Sequence, residues 1–247
     1  MSKYSTIFAC SAISALTIAG STQLYAEEQE ETKIWSGDVE LGYVSISGNS
    51  EETSIKARSD INREKDIWLY NIHLETLNTK SDDQRSAEKY FLSNRLGRAF
   101  TKTDYAFAYA SYDEDHFSGF DYQSTVAVGW GRRLIDEELM QWDIEAGPGF
   151  RTSKVDDDSN GEDSDEVIVR LFTKFNWDFS KTAGFIQSIN IESGSDNTIT
   201  KSDSALKVQI IGALALKVFY TVKYTEEVPP GTKHADTEMG VTLNYGF

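Results

Sequence analysis

The sequence predicts an all-β fold, an antiparallel up-and-down transmembrane β-barrel of about twelve strands behind an N-terminal signal peptide. Three observations carry this. The chain ends in strongly alternating segments. Blocks of about ten residues with the same character recur along residues 27–247, separated by polar breaks. The mean hydropathy is only −0.44, which leaves no room for a bundle of apolar membrane helices. Repeated short alternating segments are the mark of a membrane barrel, weak singly and strong in recurrence.

The sustained apolar run is residues 7–20, too short and too near the N-terminus for a spanning helix of about 20 residues. With Lys3 before it and Leu24-Tyr25-Ala26 after it, the run reads as a secretory signal cleaved after Ala26. The expected organisation is therefore a signal peptide over 1–26 and a barrel over 27–247. The one cysteine, Cys10, falls within the apolar run, so no disulfide framework and no thiol chemistry are expected after cleavage. The net charge is −16, and loss of residues 1–26, which carry Lys3 and no acid, makes it −17. So acidic a chain is not expected to bind nucleic acid.

The last two segments fix the phase. From Leu214, the positions Leu214, Leu216, Val218, Tyr220, Val222 and Tyr224 alternate with Ala215, Lys217, Phe219, Thr221 and Lys223. From Thr237, Met239, Val241, Leu243, Tyr245 and Phe247 alternate with Glu238, Gly240, Thr242, Asn244 and Gly246. Side chains in a strand alternate faces, so each segment has one apolar face and one mostly polar face. Trp68-to-Glu75, Gln141-to-Arg151 and Val167-to-Asp178 follow the same rule. The strands are expected at 34–47, 52–63, 66–78, 86–100, 103–115, 119–133, 138–153, 165–179, 182–193, 200–211, 214–226 and 234–247. Tight turns at Arg63–Asp66, Phe100–Thr103, Phe179–Thr182 and Ile211–Leu214 alternate with longer polar loops at Thr79–Arg85, Arg151–Glu166, Ser193–Thr200 and Glu226–His234. Turns facing the periplasm and loops facing the exterior give this pattern, with both termini on the periplasmic side.

Aromatics gather near the turn side: Trp35, Trp68, Phe100, Tyr105, Trp142, Trp177, Phe179, Phe185, Tyr245 and Phe247, as in an interfacial girdle. A soluble β-sandwich or lipocalin-like barrel would show the same alternation with the apolar face turned inward.

Several motifs carry a resemblance: Trp35-Ser36-Gly37, Leu41-Gly42, Ser47-Gly48-Asn49, residues 115–122 (Asp-His-Phe-Ser-Gly-Phe-Asp-Tyr), residues 145–151 (Glu-Ala-Gly-Pro-Gly-Phe-Arg), Pro229-Pro230-Gly231, Asp236-Thr237 and Tyr245-Gly246-Phe247. On these the chain resembles the salt-induced outer-membrane proteins, a family catalogued as a domain of unknown function. The resemblance implies an outer-membrane barrel without catalytic residues. No cofactor and no metal site are expected. His116 departs from the Arg usual after the Asp of the central motif.

Two local patterns invite chemistry. His116 and Ser118 share a strand face, the spacing of the His-x-Ser pair in some outer-membrane lipid hydrolases, where His deprotonates the Ser hydroxyl; Asp115 or Glu114 would orient the His. The family pattern favours a loop histidine. Asp156, Asp158, Asn160 and Gly161 match the first half of a calcium loop, but its twelfth position is Val167 and Glu166 falls one residue short. A solvated acidic loop, with loose divalent or lipopolysaccharide contacts, is the simpler reading.

The phase assigns ten cations to the lumen: Lys56, Arg58, Arg95, Arg133, Arg151, Arg170, Lys174, Lys207, Lys217 and Lys223. It assigns nine anions: Asp38, Glu40, Asp60, Glu75, Asp143, Glu145, Asp178, Glu192 and Glu238. These either pair and plug the barrel or line a small aqueous pore. The functional expectations are a small, weakly cation-preferring pore or salt-responsive envelope protein, or a structural barrel with cation- or lipopolysaccharide-binding acidic loops, or a lipid hydrolase at His116 and Ser118. The expected partners are outer-membrane lipids, lipopolysaccharide, and barrel-assembly machinery engaging Phe247 at the edge of the last strand. Gly147-Pro148-Gly149 is expected to kink its strand. Arg at Val218 is expected to destabilise insertion, and Gln at Lys217 to cost much less.

Overall fold

The computed structural model describes residues 34–47, 52–81, 84–115, 120–155 and 162–247. The signal peptide expected over 1–26 lies outside them. The strands are β1 Trp35–Ser47, β2 Glu52–Lys65, β3 Trp68–Ser81, β4 Gln84–Ala99, β5 Asp104–Asp115, β6 Phe120–Glu137, β7 Met140–Val155, β8 Ser164–Ser180, β9 Ala183–Ser193, β10 Thr198–Ile211, β11 Leu214–Thr225 and β12 Ala235–Gly246. Each pairs antiparallel with its neighbour in sequence, and β1 pairs with β12, so the sheet closes on itself. Closure leaves no strand edge, which a lipid environment requires because nothing there solvates a free N–H or C=O. At the seam, Phe247 N–H donates to Gly37 C=O at 2.9 Å and Gly37 N–H to Phe247 C=O at 3.1 Å.

The expected twelve strands are all present, with ends moved by a few residues. At the β2–β3 turn the strands run on to Lys65 and from Trp68, and the connection is Asp66-Ile67. Asp66 takes φ 56°, a left-handed conformation that Asp tolerates and that suits a two-residue hairpin. Gly212, φ 55°, does the same for β10–β11. The expected Thr79–Arg85 loop is replaced by strand, since β3 and β4 pair through Thr79↔Ala87 and Ser81↔Gln84. A polar stretch is not thereby a loop, since antiparallel pairing is made by the backbone.

The distribution of polarity decides between a soluble and a membrane barrel. Along β12, Met239, Val241, Leu243 and Tyr245 face outward and are exposed, while Glu238, Thr242 and Asn244 are buried. On β1, Leu41 is 60% exposed and Glu40 only 2%. The largest fully buried side chain is Arg151. This is a soluble protein turned inside out, and only a hydrocarbon surround makes the apolar exterior favourable. Strands of 11–18 residues exceed the roughly 9–11 needed to cross a bilayer, so their ends project beyond it.

The lumen also holds two apolar patches, one of Val44, Ile46, Leu77, Ala205 and Phe219, the other of Tyr105, Phe107 and Ala127. The expectation that Tyr105 joins the outer girdle is corrected: β5 turns Tyr105 inward, 3% exposed, with Phe107 and Tyr109. Glycine makes the room. A Cβ on Gly131 would lie 2.2 Å from the Tyr105 ring, and one on Gly240 2.8 Å from that of Phe219. Gly131→Val should therefore lower the stability of the folded barrel by about 1–3 kcal/mol, the range for overpacking. Urea titration of the folded barrel tests this, and adding Tyr105→Ala should recover part of the loss. An unchanged midpoint for Gly131→Val would refute the packing.

The Gly147-Pro148-Gly149 segment leaves the β7–β8 register continuous but interrupts the β6 side, which pairs Ala127↔Gly149 and then Trp130↔Ala146. Pro148 has no N–H to offer β6. The two backbones crowd at Gly129 and Gly147, where a Cβ would lie 2.2 and 2.0 Å from the opposing carbonyl oxygens.

Candidate functional site: the charged lumen

The twelve strands aim their polar face at one axis, so the lumen is the candidate site. All ten cations assigned from sequence face it. The nine anions share that phase too, and Asp178 alone among them is exposed, at the turn end of β8.

At mid-height the pairs are mostly between near strands. Lys217 Nζ donates to Glu40 at 2.6 Å and Thr242 Oγ1 to the same carboxylate at 3.0 Å. Arg58 pairs with Asp60 at 3.2 Å, and Arg133 with Asp143 at 3.1 Å. Glu145 collects three groups: Arg95, Arg170 at 3.1 Å, and the Tyr105 hydroxyl at 3.2 Å. The Arg170 guanidinium lies 3.9 Å from the centre of the Tyr109 ring and 5.0 Å from that of Phe172, a cation–π sandwich.

Toward the loop end the pairs cross the lumen. Lys223 on β11 bonds Asp113 on β5 at 2.8 Å. In a ring of twelve these strands are six apart, on opposite walls. Lys89 on β4 bonds Glu238 on β12 at 2.9 Å and Asp115 at 3.3 Å. Lys56 joins the same Glu238 to Glu75 at 2.6 and 2.7 Å. Lys201 on β10 sets its ammonium 4.9 Å from the centre of the Phe91 ring, again six strands away. The lumen is thus bridged side to side by a latch centred on Asp113, Lys223, Lys89 and Glu238. Asp113 Oδ1 is buried without a hydrogen bond among the described residues.

The sequence reading overlooked Lys89, Lys201, Asp113, Asp115, Glu166 and Asp203 as lumen groups. Around β10 the cause is visible: Ser202 and Ser204 occupy the outward positions beside Lys201 and Asp203, and both bond Gln187 on the neighbouring strand. With no apolar face to set the phase, alternation is silent there.

The sites suggested by motifs fare differently. His116 and Ser118 lie outside the described residues. The lumen does bring a histidine beside a serine, His73↔Ser93 in register. But Nδ1 of His73 faces Asp60 at 2.9 Å and Nε2 faces Glu75 at 3.6 Å, so neither ring nitrogen is turned to the hydroxyl as a base. Asp156, Asp158, Asn160 and Gly161 also lie outside the described residues. At the described end of that loop, Glu166 is already committed: it takes Arg151 and the N–H groups of Asp196 and Asn197 at 2.9 and 3.3 Å. Asp163 accepts the Val155 N–H at 2.9 Å. No group of three or more metal-binding side chains is gathered among the described residues.

Outward apolar belt, inward charge and a closed ring of twelve antiparallel strands define a porin-like outer-membrane barrel. The solved structure of the porin NanC has the same fold, with a TM-score of 0.56 and 10% identity over 84% of this chain and 98% of that one. The KdgM porin aligns over 85% of this chain and 99% of its own, with a TM-score of 0.48 and 10% identity. A family model described as "Protein of unknown function, DUF481" matches residues 39–247, and the chain belongs to that family. This bears out the membership expected from the motifs. A relative, "Uncharacterized protein YdiY" of Escherichia coli (strain K12), is 28% identical over 215 residues, which are 87% of this chain and 83% of that protein.

Proposed function

We propose that the chain is a narrow outer-membrane pore, held shut at rest by the ion pairs that cross its lumen. The observation that carries this is the Lys223–Asp113 bond between opposite walls. An open porin keeps its charges on separate walls, where they act on passing ions; here they satisfy one another. The closed state has a cost as well. A buried carboxylate oxygen without a partner is worth about 1–3 kcal/mol, so Asp113 Oδ1 keeps closure from being overwhelming. On this reading the polypeptide reaches the outer membrane through a signal cleaved after Ala26, and assembly machinery engages the Phe247 end of β12. Acidic groups at the mouth, including Asp163 in the loop and Asp165 at the start of β8, raise the local cation concentration there, an effect screened over about 10 Å at 0.1 M salt. The acidic loops are also the groups placed to meet lipopolysaccharide and its bridging cations.

Single-channel recording in planar bilayers tests the reading. The unmodified protein should show small, infrequent openings with weak cation preference at low salt. Removing both partners together, Asp113→Ala with Lys223→Ala, avoids leaving a lone buried charge and should raise conductance or open probability severalfold. Steady large conductance in the unmodified protein would show that the latch does not close the lumen. A folded double variant as silent as the parent would point to a structural barrel.

A further inference from the structure

The outer wall carries a second charged feature that the lumen does not use. At the turn end of β1 to β4, aromatic and cationic side chains alternate strand by strand: Trp35 on β1, Arg63 on β2, Trp68 on β3 and Arg98 on β4. All four face outward, and register places Trp35 beside Arg63 and Trp68 beside Arg98. The Arg63 guanidinium lies 5.4 Å from the Trp35 ring centre, and that of Arg98 6.0 Å from the Trp68 ring centre. Neither arginine has an ion-pair partner among the described residues. The contrast with Arg132 is informative. It too lies against an indole, Trp130 at 5.3 Å, but Asp104 neutralises it with hydrogen bonds of 2.8 and 3.0 Å. On the other half of the barrel, the outward strand positions at the same level hold Trp142, Trp177, Phe179 and Tyr245 and, among the described residues, no Arg or Lys; the cation at that end, Lys181, sits in the β8–β9 turn and not on the wall.

We propose that the β1–β4 arc is a binding surface for an anionic glycerophospholipid of the leaflet that meets the turn end. This rests on the outer-membrane reading above. The arc lies where the apolar belt gives way to water, the depth of lipid headgroups. Two unneutralised guanidinium groups there complement phosphate, and Arg presents the flat, forked donors that phosphate oxygens accept. Each indole holds its guanidinium close to the wall, so the pair is positioned before the lipid arrives. The neutralised Arg132 and the other half's wall, whose outward strand positions at that level carry no Arg or Lys among the described residues, make the surface an arc and not a ring. The barrel is therefore expected to carry bound lipid on one side only.

Native mass spectrometry of the barrel released from vesicles of equal phosphatidylglycerol and phosphatidylethanolamine tests this. Retained lipid should favour phosphatidylglycerol by at least about fivefold. Arg63→Gln with Arg98→Gln should bring the ratio close to one, while Arg132→Gln should leave it unchanged. Adducts in proportion to the vesicle composition, or a preference that survives the double variant, would overturn the site. Failure of the unmodified chain to enter vesicles at all would overturn the outer-membrane reading and the site with it.

Discussion

Arg151→Met should unfold the barrel more readily than most single changes, by about 3–5 kcal/mol, the cost of breaking a buried pair from one side. Arg151 is 1% exposed. Its guanidinium takes Glu166, the Asn197 carbonyl at 2.7 Å and the Glu192 carbonyl at 3.2 Å, with the Glu192 carboxylate 3.9 Å away. One side chain on β7 thereby fixes β8, the end of β9 and the connection to β10. That connection is fitted closely to it, since a Cβ on Gly194 would lie 1.9 Å from a Glu166 oxygen. Removing the arginine leaves two buried carboxylates facing each other across the gap. Met fills the volume but supplies no charge. Adding Glu166→Gln to Arg151→Met should recover a good part of the loss, giving a large coupling in a double-mutant cycle. Urea unfolding in phospholipid vesicles reads both. If the single variant lost under 1 kcal/mol, or the second substitution only added to the damage, the buried pair would not be holding these strands.

The second large effect sets neighbouring residues on β11 against each other. Val218 is 46% exposed on the outer wall, and Val218→Arg should cost about 2–4 kcal/mol near the bilayer midplane. From sequence alone, Lys217→Gln on the opposite face is expected to cost much less, because lumen positions usually tolerate polar exchange. The structure corrects that. Lys217 is buried and bonded to Glu40, itself 2% exposed. Glutamine can still donate but is shorter and uncharged, so the buried Glu40 carboxylate would lose its cation and the cost should rise to a similar few kcal/mol. The two losses differ in their rescue. Glu40→Gln should relieve the Lys217 variant and leave the Val218 variant untouched. Relief of both, or of neither, would place one of these side chains on the wrong face.

Comparison of β11 with β10 shows what alternation conveys. In β11 every second residue from Leu214 to Tyr224 is apolar, and the inward Lys217 and Lys223 could be assigned from the chain alone. In β10, Lys201-Ser202-Asp203-Ser204 is polar on both faces, and in β5 Asp113-Glu114-Asp115 is uniformly acidic. A period of two cannot be read where both phases look alike. Lys89 was missed beside Glu88 for the same reason. The fold, its strand number and its inward charge were therefore legible, whereas the latch was not. Asp113 and Lys223 are 110 residues apart, and they meet because strand tilt and stagger bring particular rungs of opposite walls to one height. Nothing local in the sequence records that stagger. The Arg–Trp arc was half visible: the tryptophans were assigned to the girdle, but which arginines lack a carboxylate depends on cross-strand neighbours such as Asp104 for Arg132.

The inside-out arrangement also bears on how such a chain travels. A helical membrane protein advertises its destination as a long apolar run, and a translocation channel releases that run sideways into the first bilayer it meets. Here the apolar wall exists only after folding. In the extended polypeptide its residues are diluted one for one by the charges and hydroxyls that will fill the lumen; Val208 to Val218, among the most apolar stretches, is still broken by Gln209 and Lys217. The same spacing of two that builds a lipid-facing surface thus keeps the unfolded chain inconspicuous to one membrane while committing it to another.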